Sequence, residues 1–204
     1  MLNNSMAQSP LFHADFTKLA MATENHAAGV TLFERPCLGH LNLRGNAQDS
    51  AFVQGVEAAL GMPLPVAPCS SSMHDNNYIM WLSPDEWLVV VDVGEELAAE
   101  KRLREHLSGH FAVSDISGGQ TWLTISGPDS IDVLKKSTGY DVHLDNFPLG
   151  KVVGTAFAKS SCHILRTGEF EFQLIIRRSF ADYFWMWLQH SSKEFGLKVV
   201  GSHD

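Results

Sequence analysis

Long apolar runs are missing from this chain of 204 residues. The longest, such as Trp87 to Val91, fall far short of the roughly 20 residues that cross a bilayer. The start of the chain, Met1 to Ser5, also lacks the basic and then apolar regions of a secretory signal. We therefore expect a cytoplasmic protein that does not associate with membranes.

Cysteine and clustered positive charge are also scarce. Cys37, Cys69 and Cys162 form no Cys-x-x-Cys pair and have no spacing typical of a disulfide framework or a zinc site, so we expect reduced thiols. The formal net charge is −8, and Lys and Arg form no cluster. Because nucleic-acid affinity depends mainly on cationic contacts to phosphate, we expect no nucleic-acid partner.

Motifs that bind phosphate or activate a nucleophile are absent as well. The glycines at 118–119 and Gly168 lie between predicted strands, and neither fits a dinucleotide fingerprint or a P-loop. The serines at 70–72 lack a G-x-S-x-G elbow, and the neighbours Cys162 and His163 would point to opposite faces of a strand. We therefore expect neither a catalytic nor a cofactor-binding residue in this chain.

The sequence does contain two successive β-α-β-β-α-β patterns. With 45% apolar and 19% charged residues, its composition is that of an ordinary globular protein. The first pattern has strands at 41–43, 78–82, 87–91 and 112–116, with helices at 52–60 and 95–107. The second has strands at 122–126, 163–166, 170–176 and 197–200, with helices beginning at Pro128 and at Phe180. This order predicts an α+β fold of two ferredoxin-like halves packed together.

The two halves also resemble each other residue by residue. Leu41 to Gly45 align with Leu123 to Gly127, and Glu86 to Val91 align with Glu171 to Ile176 at nearly the same offset. We infer an internal duplication, with too few copies for a solenoid. The predicted divisions are an irregular N-terminal arm (1–28), a first ferredoxin-like half (29–117) and a second ferredoxin-like half (118–204).

Two pairs of polar residues could in principle carry chemistry. His106 and His110 have the i, i+4 spacing of a metal-binding pair, but the sequence suggests no further ligand, and a solvated helix face is the favoured interpretation. Asp85 and Glu86 are adjacent carboxylates in a predicted hairpin turn. General acid-base catalysis needs unequal environments for two such groups, which an exposed turn rarely provides. We predict no metal site and no catalytic carboxylate pair.

The last predicted helix is apolar around most of its circumference. One stripe would cover the sheet of its own half, while Tyr183, Trp185 and Met186 fall outside that stripe. These residues are either buried between the two halves of the chain or exposed for contact with another protein, since aromatic and Met side chains are enriched at interfaces. We take Tyr183, Trp185 and Met186 as candidate partner contacts.

Four segments together carry a resemblance that spans about Gly29 to Phe195. They are Trp81-Leu82-Ser83-Pro84-Asp85-Glu86-Trp87-Leu88-Val89-Val90, Val113-Ser114-Asp115-Ile116-Ser117-Gly118-Gly119-Gln120-Thr121, Ile125-Ser126-Gly127-Pro128-Asp129 and Arg178-Ser179-Phe180-Ala181-Asp182-Tyr183. The set resembles the gamma-subunit family of heterotetrameric sarcosine oxidase. More distantly it is similar to the aminomethyltransferase superfamily of the glycine-cleavage T-protein.

The resemblance implies an assembly of alpha, beta, gamma and delta chains. Such an assembly oxidises sarcosine to glycine, with hydrogen peroxide and either formaldehyde or methylene-tetrahydrofolate as products. It implies FMN, FAD or NAD and tetrahydrofolate in partner subunits and none in this chain, which would be a non-catalytic structural subunit bound most directly to alpha.

The alternative is a stand-alone folate-binding module or aminomethyltransferase-like protein. No acidic residue here matches the catalytic aspartate of the folate-dependent relatives, so no catalytic residue is carried over and that reaction would rest on the fold alone.

Overall fold

The computed structural model describes residues 7–23 and 28–201. Within them the α-helices are Phe16–Thr23 (α1), Ser50–Leu60 (α2), Glu96–His106 (α3), Ser130–Ser137 (α4) and Ala181–Ser192 (α5). The strands are Val30–Arg35 (β1), Gly39–Arg44 (β2), Ser71–His74 (β3), Asn77–Ser83 (β4), Glu86–Val91 (β5), Ala112–Asp115 (β6), Gln120–Ser126 (β7), Val152–Phe157 (β8), Ser160–Arg166 (β9), Glu171–Arg177 (β10) and Leu197–Val199 (β11). The longest of these helices has 12 residues, too short to cross a membrane.

The first sheet has five strands in the order β3-β4-β5-β2-β6. The predicted β-α-β-β-α-β pattern is present in this sheet, formed by β2, α2, β4, β5, α3 and β6. Both helices pack on one face of this sheet, where Phe52 and Val56 of α2 and Leu103 of α3 are buried. The apolar residues of α2 recur at i and i+4, so one stripe of the helix faces the sheet.

The second sheet has six strands in the order β11-β1-β7-β10-β9-β8. Strands β7, β9, β10 and β11, with α4 and α5, repeat the pattern of the first sheet. Strand β1 lies between the first and last strands of that repeat, antiparallel to β7 and parallel to β11. Residues 30–35, which fall in the predicted first half, therefore belong to the second sheet.

One helix and three strands were not predicted from the sequence: α1, β1, β3 and β8. Strands β3 and β8 each precede the second strand of their repeat and add an outer strand to its sheet. Helix α1 lies within residues 1–28, which we had predicted to be irregular; residues 1–6 and 24–27 of that segment lie outside the described residues. The division of the chain into two units at residue 117 stays a prediction.

The two sheets pack face to face. Tyr78, Met80 and Leu88 of the first sheet contact a layer of the second sheet that contains Trp122 and Leu165. The opposite face of each sheet is covered by helices, so the chain has the layer order helix, sheet, sheet, helix. Because both faces of β5 are covered, the run from Trp87 to Val91 is buried throughout rather than alternating.

A close backbone approach joins the N-terminal strand to the second repeat. Gly127 has φ 111, a conformation that other residues rarely adopt. A Cβ atom there would also collide with the carbonyl oxygen of Gly29. That oxygen accepts a 3.0 Å hydrogen bond from the backbone N–H of Asp129 at the start of α4. Gly127 therefore allows β1 to enter the second sheet beside the start of α4.

Candidate functional site

The candidate partner residues of α5 do not share one environment. Trp185 is only 3% exposed, and its ring centroid lies 4.7 Å from that of Phe16 in α1. Tyr183 is half-buried, and its hydroxyl accepts a 3.1 Å hydrogen bond from the backbone N–H of Lys159. Met186 is 55% exposed. Of the three, only Met186 offers most of its side chain to a partner.

The assignment of Trp185 as a partner contact is therefore corrected to a core position. Helix α5 packs on the second sheet through Phe184 and Leu188, and α1 covers a further side of the helix. An apolar residue outside the sheet-facing stripe is thus buried by a second element of the same chain. Trp185 is thus buried within its own chain, which was the alternative interpretation. The element that covers it is helix α1, not the first ferredoxin-like half.

An exposed surface remains beside α5, where the N-terminal segment crosses it. His13 Nε2 lies 2.9 Å from Asp182 Oδ1, and Arg178 donates a 2.9 Å hydrogen bond to the carbonyl of Gln8. The N-terminal segment and the region of α5 carry three exposed apolar side chains: Phe12 is 73% exposed, Phe180 43% and Met186 55%. We call Phe12, Phe180, Asp182 and Met186 the α5 surface.

A cleft of about 500 Å³ opens between the two sheets. Arg35 lies in its wall and donates a 2.9 Å hydrogen bond to the Tyr78 hydroxyl, with its guanidinium carbon 5.5 Å from the ring centroids of both Tyr78 and Trp122. Asp92 and Glu171 also line this cleft. We call it the Arg35 cleft. A guanidinium presents a fork of donors that suits a carboxylate, whereas the three acidic residues of the lining, Glu34, Asp92 and Glu171, would favour a positive group.

Buried polar atoms without partners lie in the layer between the sheets. Both ring nitrogens of His40, the indole N–H of Trp122 and the amide oxygen of Gln120 are buried without a hydrogen-bond partner among the described residues. His40 is 1% exposed, and its ring centroid lies 6.4 Å from that of Trp122. Burial lowers the pKa of His40 to about 4, while the backbone of Leu38 and the charge of Asp115 act weakly in the opposite direction.

A second cleft of about 360 Å³ is lined by residues of both sheets, among them Glu86, Gln120, His163 and Arg177. Burial lowers the pKa of His163, and the nearby charge of Glu86 opposes that shift. Glu86 itself accepts a 2.7 Å hydrogen bond from the side-chain amide of Asn42. Burial in this cleft therefore favours the neutral form of the His163 side chain over its protonated form.

The neighbouring carboxylates Asp85 and Glu86 have different partners. Asp85 lies in the exposed turn between β4 and β5, where its pKa is lowered mainly by a 2.5 Å hydrogen bond from Arg44. Glu86 begins β5 and accepts a hydrogen bond from Asn42 of the neighbouring strand β2. The two groups thus make separate contacts rather than sharing a proton.

The pair His106 and His110 is exposed. His106 Nδ1 lies 2.8 Å from the carbonyl of Arg102, one helical turn earlier. His110 lines an open cleft beside Arg44 and Asp85. Among residues 7–23 and 28–201, no three His, Cys, Asp or Glu side chains come together as a metal site.

The three cysteines are free thiols in the structure. Cys162 is buried, and burial raises its pKa to about 12. Cys37 is half-buried, and burial followed by the charge of Glu34 raises its pKa as well. Because the thiolate is the nucleophilic form, these surroundings make Cys37 and Cys162 less reactive than an ordinary exposed thiol.

The helix N-termini do not suit a dinucleotide phosphate. Each of the five described α-helices has an acidic residue just before it or in its first turn: Asp15, Asp49, Glu95, Asp129 and Asp182. The Asp15 and Asp49 side chains already accept backbone N–H bonds there. A phosphate at such an end would meet a negative charge where phosphate-binding helices present free N–H groups.

Comparison with known proteins relates nearly the whole chain to one family. The profile of the sarcosine oxidase gamma subunit family matches residues 44–194. A sarcosine oxidase subunit gamma of Corynebacterium sp. strain P-1 is 30% identical over 200 residues, covering 97% of this chain and 96% of that protein. The corresponding protein of Arthrobacter sp. is 30% identical over 201 residues, with the same coverage of both chains.

Solved structures agree on the fold. A chain of heterotetrameric sarcosine oxidase from Corynebacterium sp. U-96 superposes with a TM-score of 0.81 at 30% identity, covering 93% of this chain and 96% of the other. Aminomethyltransferase T of the Bartonella henselae glycine cleavage system superposes with a TM-score of 0.61 at 16% identity. That match covers 91% of this chain and 50% of the other and bears on the fold alone. The predicted T-protein-like α+β fold is confirmed.

Proposed function

The chain belongs to the sarcosine oxidase gamma subunit family, and from that membership we propose that it is a non-catalytic assembly subunit of a cytoplasmic heterotetrameric sarcosine oxidase. Its partners would be the alpha, beta and delta subunits. The complex would oxidise sarcosine to glycine and release hydrogen peroxide with formaldehyde or methylene-tetrahydrofolate. The observation that carries the proposal is the near full-length structural match to a chain of such a complex, with a TM-score of 0.81.

The cofactors FMN, FAD or NAD and tetrahydrofolate belong, in this proposal, to the partner subunits. Dinucleotides are commonly bound by their phosphates at helix N-termini. In this chain those termini carry acidic residues, which would repel a phosphate, and this supports the proposal. The thiols also support a structural role. Burial raises the pKa values of Cys37 and Cys162, so these thiols stay protonated and are poor nucleophiles. This chain would contribute contact area and shape, and the redox chemistry would take place in its neighbours.

We place the main contact with the alpha subunit at the α5 surface. Its three exposed apolar side chains, Phe12, Phe180 and Met186, are of types enriched at protein interfaces. The His13–Asp182 contact holds the N-terminal segment on α5, so the surface is formed by two parts of the chain. Burying such side chains against a partner removes apolar area from water, which favours association.

The experiment compares two charged substitutions in the co-expressed complex. Met186→Glu should weaken association with the alpha subunit at least about tenfold, since a carboxylate would be buried in the contact. Leu97→Glu is the matched control, because Leu97 is 74% exposed on α3 in the opposite helix layer. Both variants should keep the thermal unfolding midpoint of the isolated chain. Equal association of the two variants would argue against contact at the α5 surface.

The non-catalytic role has its own test. The isolated chain, free of other subunits, should not consume oxygen when sarcosine is added, whereas the reconstituted complex should. Oxidation of sarcosine by the isolated chain would contradict the proposal. Failure of the alpha, beta and delta subunits to retain this chain would contradict the assembly role.

The alternative function, a folate-binding module or an aminomethyltransferase-like protein, has one structural observation in its favour. The Arg35 cleft combines a guanidinium with the carboxylate of Glu171, which suits a ligand with both a carboxylate and hydrogen-bond donors. A calorimetric titration of the isolated chain with tetrahydrofolate tests this alternative. Tight binding that Arg35→Met abolishes would favour it, and no heat at high ligand concentration would favour the assembly role.

A further inference from the structure

The cleft of about 360 Å³ that is lined by both sheets has a volume within the range of sites for small molecules. We call it the His163 cleft. Strand β10 gives its first residue, Glu171, to the Arg35 cleft and its last residue, Arg177, to the His163 cleft. These ends lie about 20 Å apart along the strand. The two clefts are therefore separate candidate sites.

The register of the second sheet brings polar side chains together in the His163 cleft. Arg177 of β10 is directly opposite Gln120 of β7. His163 of β9 is opposite Ile175, two residues before Arg177, so His163 and Arg177 lie on the same face of the sheet. Glu86 of the first sheet lines the cleft from the other side.

The His163 cleft contains one charged side chain of each sign, the carboxylate of Glu86 and the guanidinium of Arg177. None of the ion pairs within residues 7–23 and 28–201 joins these two groups. Glu86 accepts a hydrogen bond from Asn42 at Oε1, which leaves lone pairs on its other oxygen. Arg177 is exposed, so its guanidinium has donors available for a ligand.

The other polar side chains of the cleft add hydrogen-bonding groups without net charge. Burial lowers the pKa of His163, so its neutral imidazole offers one donor and one acceptor. The amide oxygen of Gln120 is buried without a donor among the described residues. Most buried acceptors in proteins have a donor, and an N–H group of a ligand would supply one here.

We infer that the His163 cleft binds a small amino acid in its zwitterionic form, of the size of glycine or sarcosine. The guanidinium of Arg177 binds the carboxylate, because its N–H fork matches two carboxylate oxygens. Glu86 binds the ammonium group at the opposite end of the ligand. This inference names a ligand site on the chain itself and goes beyond the proposed function.

Ligands of other charge fit the His163 cleft less well. A simple anion would leave Glu86 without a partner, and a simple cation would leave Arg177 without one. Tetrahydrofolate carries two carboxylates, whereas the lining contains a single cationic side chain. A zwitterion with one group of each sign satisfies both charged residues at once.

Calorimetric titrations of the isolated full-length chain test this inference with sarcosine and glycine as probes. Acetate and methylammonium are control ions that carry only one of the two charges. Both amino acids should bind saturably at one site, and each control ion at least about tenfold more weakly, because it makes one charge-assisted contact instead of two. A control ion that binds as tightly as glycine, or no saturable binding of either amino acid, would overturn the inference.

Two substitutions separate the contributions of the charged residues. Glu86→Gln keeps an acceptor for Asn42 but removes the negative charge, so it should weaken glycine binding at least about tenfold and leave acetate binding no weaker. Arg177→Met should weaken the binding of both ligands at least about tenfold. Arg35→Met is the matched control, since it removes a guanidinium from the other cleft. Loss of glycine binding in Arg35→Met but not in Arg177→Met would place the ligand in the Arg35 cleft and overturn the inference.

Nuclear magnetic resonance gives a readout at the site itself. The imidazole C2–H signal of His163, identified by its loss in His163→Gln, should shift saturably with glycine, and that of the exposed His110 should not. An unchanged His163 signal at saturating glycine would contradict binding in this cleft. A chain that binds no amino acid but still assembles with alpha, beta and delta would refute this inference alone. A chain that binds glycine but fails to assemble would refute the proposed function alone.

Discussion

His40 should make the stability of this protein depend on pH in the mildly acidic range. Its imidazole is 1% exposed between the two sheets, and neither nitrogen has a hydrogen-bond partner among the described residues. Burial lowers its pKa from 6.5 to about 4, whereas the unfolded chain keeps the ordinary value. Between these values the unfolded state therefore binds a proton that the folded state does not.

The sign and size of the effect follow from this difference. The stability is unaffected by His40 above about pH 6.5 and falls as the pH drops towards 4, because protonation then favours the unfolded chain. Each pKa unit corresponds to about 1.4 kcal/mol, so the full loss is about 3 kcal/mol and the loss at pH 5 is about 2 kcal/mol. That is a large part of the free energy of unfolding of a typical domain, about 5–15 kcal/mol.

The assay is urea unfolding of the isolated chain at pH 7.5 and pH 5, with and without His40→Leu. Leucine has a similar volume and cannot take up a proton, so the loss of stability between the two pH values should be about 2 kcal/mol smaller in this variant. His110→Leu is the control, because it makes the same replacement at an exposed histidine. An equal pH dependence in the unsubstituted chain and His40→Leu would refute the reasoning.

Three further predictions concern stability and reactivity. Arg166→Met should destabilise the fold by about 3 kcal/mol in urea unfolding, because the buried guanidinium donates to two carbonyls of the β9–β10 turn and to two carbonyls of the segment between α4 and β8. Replacing the exposed Arg177 by Met should change the stability little. Trp185→Ala should lower the free energy of unfolding by about 3–5 kcal/mol and Met186→Ala by less than about 0.5 kcal/mol. Similar losses for the two variants would contradict the burial of Trp185 under α1. Cys162 should resist a thiol reagent at pH 8 in the native chain and react once urea unfolds it, as judged by mass spectrometry; rapid labelling of the native protein would contradict its burial and raised pKa.

Local patterns identified most elements of the repeat. The turn at Pro84 and Asp85 separates β4 from β5 as predicted, and the aligned segments after Leu41 and Leu123 are the first strands of their repeats. Turn residues and hydrophobic periodicity act over a few positions, so a sequence displays them directly. Strands β3 and β8 were missed because they are outer strands with mixed burial, which weakens the alternation.

The candidate site was predicted less well, since burial depends on neighbours that are remote in sequence. Trp185 and Met186 are adjacent and both apolar, yet α1 covers only the first. Arg35 and Tyr78 come together because β1 and β4 belong to different sheets that pack face to face. No local pattern around Arg35 indicates this pairing.

The amino-acid order alone determined the duplicated strand and helix pattern, because turns, caps and apolar periodicity are properties of short segments. The tertiary structure decided where β1 inserts and what covers α5. These outcomes depend on pairings such as Val30 with Leu197 and Thr31 with Ser126, which join parts of the chain far apart in sequence. Several registers can satisfy the local preferences of such strands, and only the packing of the whole chain selects one.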